Sequence, residues 1–268
     1  MKLLHAALPL MVAISFATGD ADARRRSKPK PATSTDTVAD ARGSNALCNG
    51  GMMITADDQI KGCTALIGSN RQSREAKAVA FYNRGNAYVG KSDFGRAIAD
   101  YGEALRLKAD YAQAYFNRAV AHRISGNPQP AIADYTASLN LSPNDADALA
   151  GRGSTYASLA LHDKAMQDFN RALTLKPGHV AALTRRGHAY VRLQKWAEAV
   201  ADYDAALAIS STNTEARYGR GVAKIYSGDF PGGQSDVAAA MALDSGVTAR
   251  MTTLGIPPPQ IKTEPAPQ

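Results

Sequence analysis

The chain has 268 residues, is 45% hydrophobic, and carries Lys+Arg 31 against Asp+Glu 24 for a net charge of +7. That length accommodates one large domain, two small ones or a repeat array, and Gly 22 with Pro 13 excludes a collagen-like chain. Two cysteines cannot build a disulfide-dense scaffold, and five scattered histidines without ligand spacing give no reason to expect a zinc site, another metal or a cofactor.

Residues 1–23, MKLLHAALPLMVAISFATGDADA, have the order of a secretory signal peptide. Lys2 is the positive start. Leu3 to Ala17 is the apolar stretch, and Ala21-Asp22-Ala23 is a small-x-small cleavage site. The apolar run is shorter than the ~20 residues that span a bilayer, which disfavours the rival reading of an uncleaved anchor. Export to the periplasm of a Gram-negative bacterium, or secretion, is therefore expected. Cleavage would remove Lys2, Asp20 and Asp22 and raise the net charge to +8.

Residues 24–46 read as a basic, disordered linker, opening with Arg24-Arg25-Arg26-Ser27-Lys28-Pro29-Lys30. A plain tether is the simple reading. Weak contact of Arg24–Lys30 with the anionic envelope surface is the sharper one. Nucleic acid is not expected as a partner, because no aromatic and basic platform follows.

Residues 47–77 contain both cysteines, Cys48 and Cys63. An oxidising compartment and a single pair favour a Cys48–Cys63 disulfide. A redox or nucleophilic cysteine is the rival, but there is no C-x-x-C pair and no motif-related histidine or acid. Asp57 to Ile67 parallels the stretch GRAIADYGEAL further on, with Cys63 standing where Tyr101 stands. It reads as a capping helix without a complete helix before it, started by Thr55 as N-cap.

From residue 78 the chain repeats every 34 residues. Arg84, Arg118, Arg152, Arg186 and Arg220 keep this pitch. So do Asp100, Asp134, Asp168, Asp202 and Asp236. A small residue follows each arginine, and Tyr101, Tyr135, Phe169, Tyr203 and Val237 follow the aspartates. The units are 78–111, 112–145, 146–179, 180–213 and 214–247. Each reads as helix, short turn, helix; in the first, Phe94, Ala97, Ile98, Tyr101, Ala104 and Leu105 share one face. The fifth is degenerate or a cap, with Lys224, Gly233 and Val237 at otherwise regular positions. The Arg and Asp ladders admit two readings, a repeated salt bridge or an ordered charge groove. Residues 248–268, with Pro257-Pro258-Pro259, read as a Pro-rich disordered tail.

This pattern of small, aromatic, Ala and Pro positions resembles the tetratricopeptide repeat, and the cysteine-bearing segment ahead of it resembles exported bacterial members of that family. The resemblance implies an all-α, right-handed superhelical solenoid. It also implies a concave groove lined by first-helix positions, from which Tyr82, Asn86, Phe116, Arg123, His188, Arg192 and Tyr218 are the candidate binding residues. Tyr82 and Phe116 admit a second reading, as packing between neighbouring first helices. No nucleotide-binding, hydrolase or metalloprotease motif occurs, so an enzyme is not expected. The expected function is a non-catalytic periplasmic adapter or scaffold for an unknown protein or peptide. The alternative is a structural or orphan solenoid without a specific peptide ligand.

Overall fold

The computed structural model describes residues 43–51 and 53–259. The expected signal peptide and the Arg24–Lys30 stretch lie outside the described residues, as do residues 260–268 of the tail. Every regular element described is an α-helix, and the molecule is a right-handed helix-turn-helix solenoid. The described part of α1 covers residues 43–49, and α2 is Ala56–Gly68. Five hairpins follow: α3 (Arg74–Gly90) with α4 (Phe94–Leu107), α5 (Ala112–Ile124) with α6 (Pro128–Leu141), and α7 (Ala146–Ser158) with α8 (His162–Leu175). Next come α9 (Val180–Arg192) with α10 (Trp196–Ile209) and α11 (Thr214–Ser227) with α12 (Phe230–Leu243), closed by α13 (Val247–Thr253).

Local chemistry sets the helix starts. Thr55, Ser73, Asp93, Asp145, Asn213 and Asp229 each place a side-chain oxygen on a first-turn amide. His179 caps α9 with a ring nitrogen: Nδ1 accepts from the Ala182 amide at 3.0 Å. Nε2 therefore carries the proton and donates to Asp147 Oδ1 at 2.9 Å.

The regular small and aromatic positions interlock. The Tyr203 ring, fully buried, lies between Gly187 of its own unit and Gly219 of the next. A Cβ on Gly187 would come within 2.7 Å of that ring, and one on Gly219 within 2.5 Å. Helices that must approach this closely can carry no side chain there. Each helix packs against its chain neighbours, and successive first helices α3, α5, α7, α9 and α11 also touch along the inner side of the stack. No hairpin could bury its apolar face alone; stacking supplies the cover.

Both ends differ from the sequence expectation. Residues 43–46, assigned to the linker, lie in helix α1. The cap thus has helical structure before α2, joined to it by the Cys48–Cys63 disulfide. Gly62 lets the two helices meet: a Cβ there would sit 2.5 Å from Leu47 and 2.8 Å from the Cys48 nitrogen. At the other end the chain beyond 247 is not a bare tail. Val247, Met251 and Ile256 are fully buried, and α13 packs on α11 and α12. Val247 and Met251, four residues apart, share a helix face that covers the open end of the fifth unit. That unit is itself a complete hairpin. Gly233 sits where the backbones of α11 and α12 cross, and a Cβ on it would lie 2.6 Å from the Gly221 carbonyl oxygen. Among the described residues no helix is long and apolar enough to cross a membrane.

Candidate functional site

The arginine ladder is structural. In all five units the guanidinium grips the aspartate of the same unit with two bonds. Arg84 Nε donates to Asp100 Oδ2 at 2.7 Å and Nη2 to Oδ1 at 2.8 Å. The same fork joins Arg118 to Asp134, Arg152 to Asp168, Arg186 to Asp202 and Arg220 to Asp236 at 2.5–2.9 Å. The aspartates are buried. Four of the arginines extend Nη1 to the preceding unit or the cap, reaching Thr64, Thr136, Asn170 and Asp204. One side chain thereby ties two layers of the solenoid. Hydrogen bonding to its aspartate raises the pKa of each ladder arginine, against the opposing effect of burial. Burial pushes the Asp236 carboxyl upward, but its bonds to Arg220 and Lys224 outweigh that and leave its pKa lowered.

The groove residues expected from sequence fall into four places. Tyr82 and Asn86 join units one and two. Asn117 Nδ2 donates to Tyr82 Oη at 3.1 Å and to Asn86 Oδ1 at 2.8 Å, and Tyr101 Oη donates to Asn86 Oδ1 at 2.6 Å. The Tyr82 ring packs against Tyr101 and Tyr111. Phe116 meets the edge of Tyr135. Tyr218 is fully buried in the core, its hydroxyl toward Thr248, and is not presented to a groove. Position 5 of the fifth unit is covered because α13 closes over it.

Arg123, His188 and Arg192 are brought together. They line a half-open concavity of about 480 Å3 inside the solenoid, spanning units two to five. Ser154, Ala157 and Ser158 form its α7 wall, Glu215 comes from α11, and Thr253, Leu254 and Gly255 close one side. Arg185, which the sequence reading passed over, also faces it. It occupies position 6 of its unit, one residue before ladder arginine Arg186, and the ~100° rotation per residue turns it off the ladder.

This concavity is electropositive. Arg123, Arg185 and Arg192 line it with a single carboxylate, Glu215, which lies 3.6 Å from Arg250. Burial, then the nearby Arg123 charge, lowers the Arg185 pKa. Burial, reinforced by Arg185, pushes His188 down to about 3, so its imidazole is neutral at pH 7. Arg192 Nη1 donates to the Ala157 carbonyl at 2.7 Å, which anchors that side chain across units three and four. The described residues contain no group of three or more His, Cys, Asp or Glu that could hold a metal. The polar groups of the cavity are guanidiniums, hydroxyls, the His188 imidazole and one carboxylate, and the Ser154 and Ser158 hydroxyls donate to the Ala150 and Thr155 carbonyls and not to His188. Among the described residues no hydroxyl of this lining is hydrogen-bonded to the imidazole as a nucleophile to its base, whereas the cations can bind.

A stack of helical hairpins bound by a repeating Arg–Asp fork, with a polar concavity on its inner face, defines an all-α helix-turn-helix solenoid. A tetratricopeptide-repeat family model matches residues 82–145 and 125–180, and a TPR-repeat model matches 187–224. Together they span about half of the chain, and the chain belongs to the tetratricopeptide-repeat family. Among solved structures it is similar to YrrB, described as a TPR protein with an unusual peptide-binding site. The identity is 18%, the TM-score 0.54, and the match covers 72% of this chain and 98% of that one. It is also similar to MamA from Desulfovibrio magneticus RS-1 (16% identity, TM-score 0.56, 65% of this chain and 98% of that one). A third is TTC0263, a thermophilic TPR protein of Thermus thermophilus (16%, 0.56, 67% and 100%). At these identities the likeness is one of fold. No curated protein matches the sequence.

Proposed function

We propose that this protein is a non-catalytic adapter that holds a segment of a partner protein in its inner concavity. The observation that carries this reading is the concavity itself. It is polar, it has walls from four successive units, and it is not filled by the described chain. Its volume of about 480 Å3 falls in the range of pockets that take ligands much larger than an ion. YrrB, similar in fold, is described as having a peptide-binding site, which favours a peptide segment as the occupant. The setting we propose is the periplasm or the exterior, on the strength of the signal-like residues 1–23 and the disulfide. Arg24–Lys30 would then lie beside the mature start and give weak attraction to the envelope surface.

Ser158 is exposed at the mouth of the concavity, and Ser158→Trp should fill the entrance without touching the ladder. Tagged wild-type protein and this variant are compared by affinity capture from intact cells with quantitative mass spectrometry. A partner depleted at least tenfold by the variant, at unchanged helical circular dichroism, is expected. Equal recovery of every captured protein by both would contradict the concavity as the binding face. Intact mass of the protein from the same cells should begin near Arg24; a full-length species would refute export with cleavage.

A further inference from the structure

We infer that the concavity selects acidic peptide, through an oxyanion-binding cluster formed by Arg123, Arg185, Arg192 and His188. The inference rests on the adapter reading and names the chemistry of the segment that site would take.

The contrast with the ladder carries the point. Each ladder arginine has an aspartate in a two-bond fork. The arginines of the concavity have no such partner. Among the described residues Arg185 makes no hydrogen bond or ion pair. Arg123 stands beside the Tyr135 hydroxyl, and its buried Nε has no hydrogen-bond partner. Arg192 spends one donor on a carbonyl. His188 is only 8% exposed, and its Nε2 is buried without a partner. The nearest carboxylates are otherwise engaged: Asp147 with His179 and Glu215 beside Arg250.

Guanidinium groups drawn close together and left unpaired are costly, and a chain that needed only to fold could avoid the arrangement. A bound oxyanion removes the cost, because each guanidinium offers a planar fork that fits a carboxylate with two bonds. Three arginines against one glutamate leave a formal charge of +2, which two acidic side chains would balance. The walls favour a peptide over a free ion: Ala157, Ala189 and Leu254 supply apolar contact beside the cations, in a space much larger than a single oxyanion requires. Charge complementarity of this kind gives specificity and speeds encounter.

The test is panning of a phage-displayed random octapeptide library on the full-length protein, in parallel with Arg185→Gln, Arg123→Gln and the surface control Arg96→Gln. Wild type and the control should enrich sequences with two or more Asp or Glu. The same acidic octapeptide, made with a fluorescent label, should bind at least tenfold more tightly than its Asn/Gln counterpart. Arg185→Gln and Arg123→Gln should each weaken it at least tenfold, with helical circular dichroism unchanged. Inorganic phosphate in large molar excess should leave most of the labelled peptide bound. Enrichment of neutral or basic peptides, blocked by Ser158→Trp, would refute acidic selection while leaving the adapter reading intact. Enrichment of no peptide would count against both. Equal loss in Arg96→Gln would reduce the effect to net charge. Complete displacement by phosphate would show a simple anion site in place of a peptide site.

Discussion

Arg152 and Asp168 show what one residue pair does in this chain. Their side chains are 18% and 7% exposed, and two bonds of 2.8 and 2.9 Å join them. Removing one partner strands a buried charge. Asp168→Ala should therefore destabilise by about 3–5 kcal/mol, while the double change Arg152→Met with Asp168→Leu should cost much less. Thermal and urea unfolding of the two variants checks the ordering. A single mutant as stable as the double would mean the ladder is merely a solvated surface pair.

His188 provides a second residue-scale expectation. Its folded pKa of about 3 lies below the ordinary value near 6.5, from burial first and Arg185 second. A depressed imidazole leaves the unfolded chain holding a proton that the folded chain lacks. Stability from this group is full above pH ~6.5 and falls as pH drops toward 3, by roughly 1 kcal/mol per pH unit. His188→Gln should flatten the melting-temperature profile between pH 6.5 and 4. His122, also lowered mainly by burial, leaves part of the slope in place. An unchanged profile in the variant would show that His188 titrates freely. The ladder was readable from sequence because Arg and Asp recur at one pitch. Arg185 was not, since it occurs once and at a position outside the usual groove set; its importance comes from what it lacks, an aspartate opposite. The partners of ladder Nη1 were missed for a related reason: Thr64, Thr136, Asn170 and Asp204 differ in chemistry, and Gly102, at the position of the last three in its own unit, offers no side chain.

At the scale of elements, the ten helices of the five units follow from the 34-residue pitch, and Thr55 caps α2 as its sequence suggested. The ends were less legible. A terminal element has only one neighbour, so its apolar residues are few and its periodicity short. Val247, Met251 and Ile256 are three residues in ten, next to a Pro run that reads as a tail. The described part of α1 spans only residues 43–49, and the disulfide ties it to α2. The bond closes a 15-residue separation, worth about 3 kcal/mol in the loop-entropy model. Replacing both cysteines by serine should speed amide exchange in residues 43–68 by about a hundredfold and leave units three to five near wild type. Uniform acceleration along the chain would show that the cap is not an independent layer.

For the whole molecule, stacking generates the concavity and no single unit contains it. Arg123 comes from the second unit, Ser158 from the third, Arg185 and His188 from the fourth and Glu215 from the fifth, with Gly255 closing the side. A sequence scan ranks positions within a repeat; the curvature of the stack decides which of them meet. This is why Tyr82 and Tyr218, sound choices by position, are occupied inside the protein, while Arg123, His188 and Arg192 share one wall system with Arg185. The central claim is that a partner enters this space. Photo-crosslinking from an unnatural residue at Ser158, compared with Gln234 on α12 away from the cavity, tests it in intact cells. Crosslinks to a common partner from position 158 alone, lost in Arg185→Gln, are predicted; equal crosslinking from both positions, or none from 158 while 234 captures the partner, would contradict it.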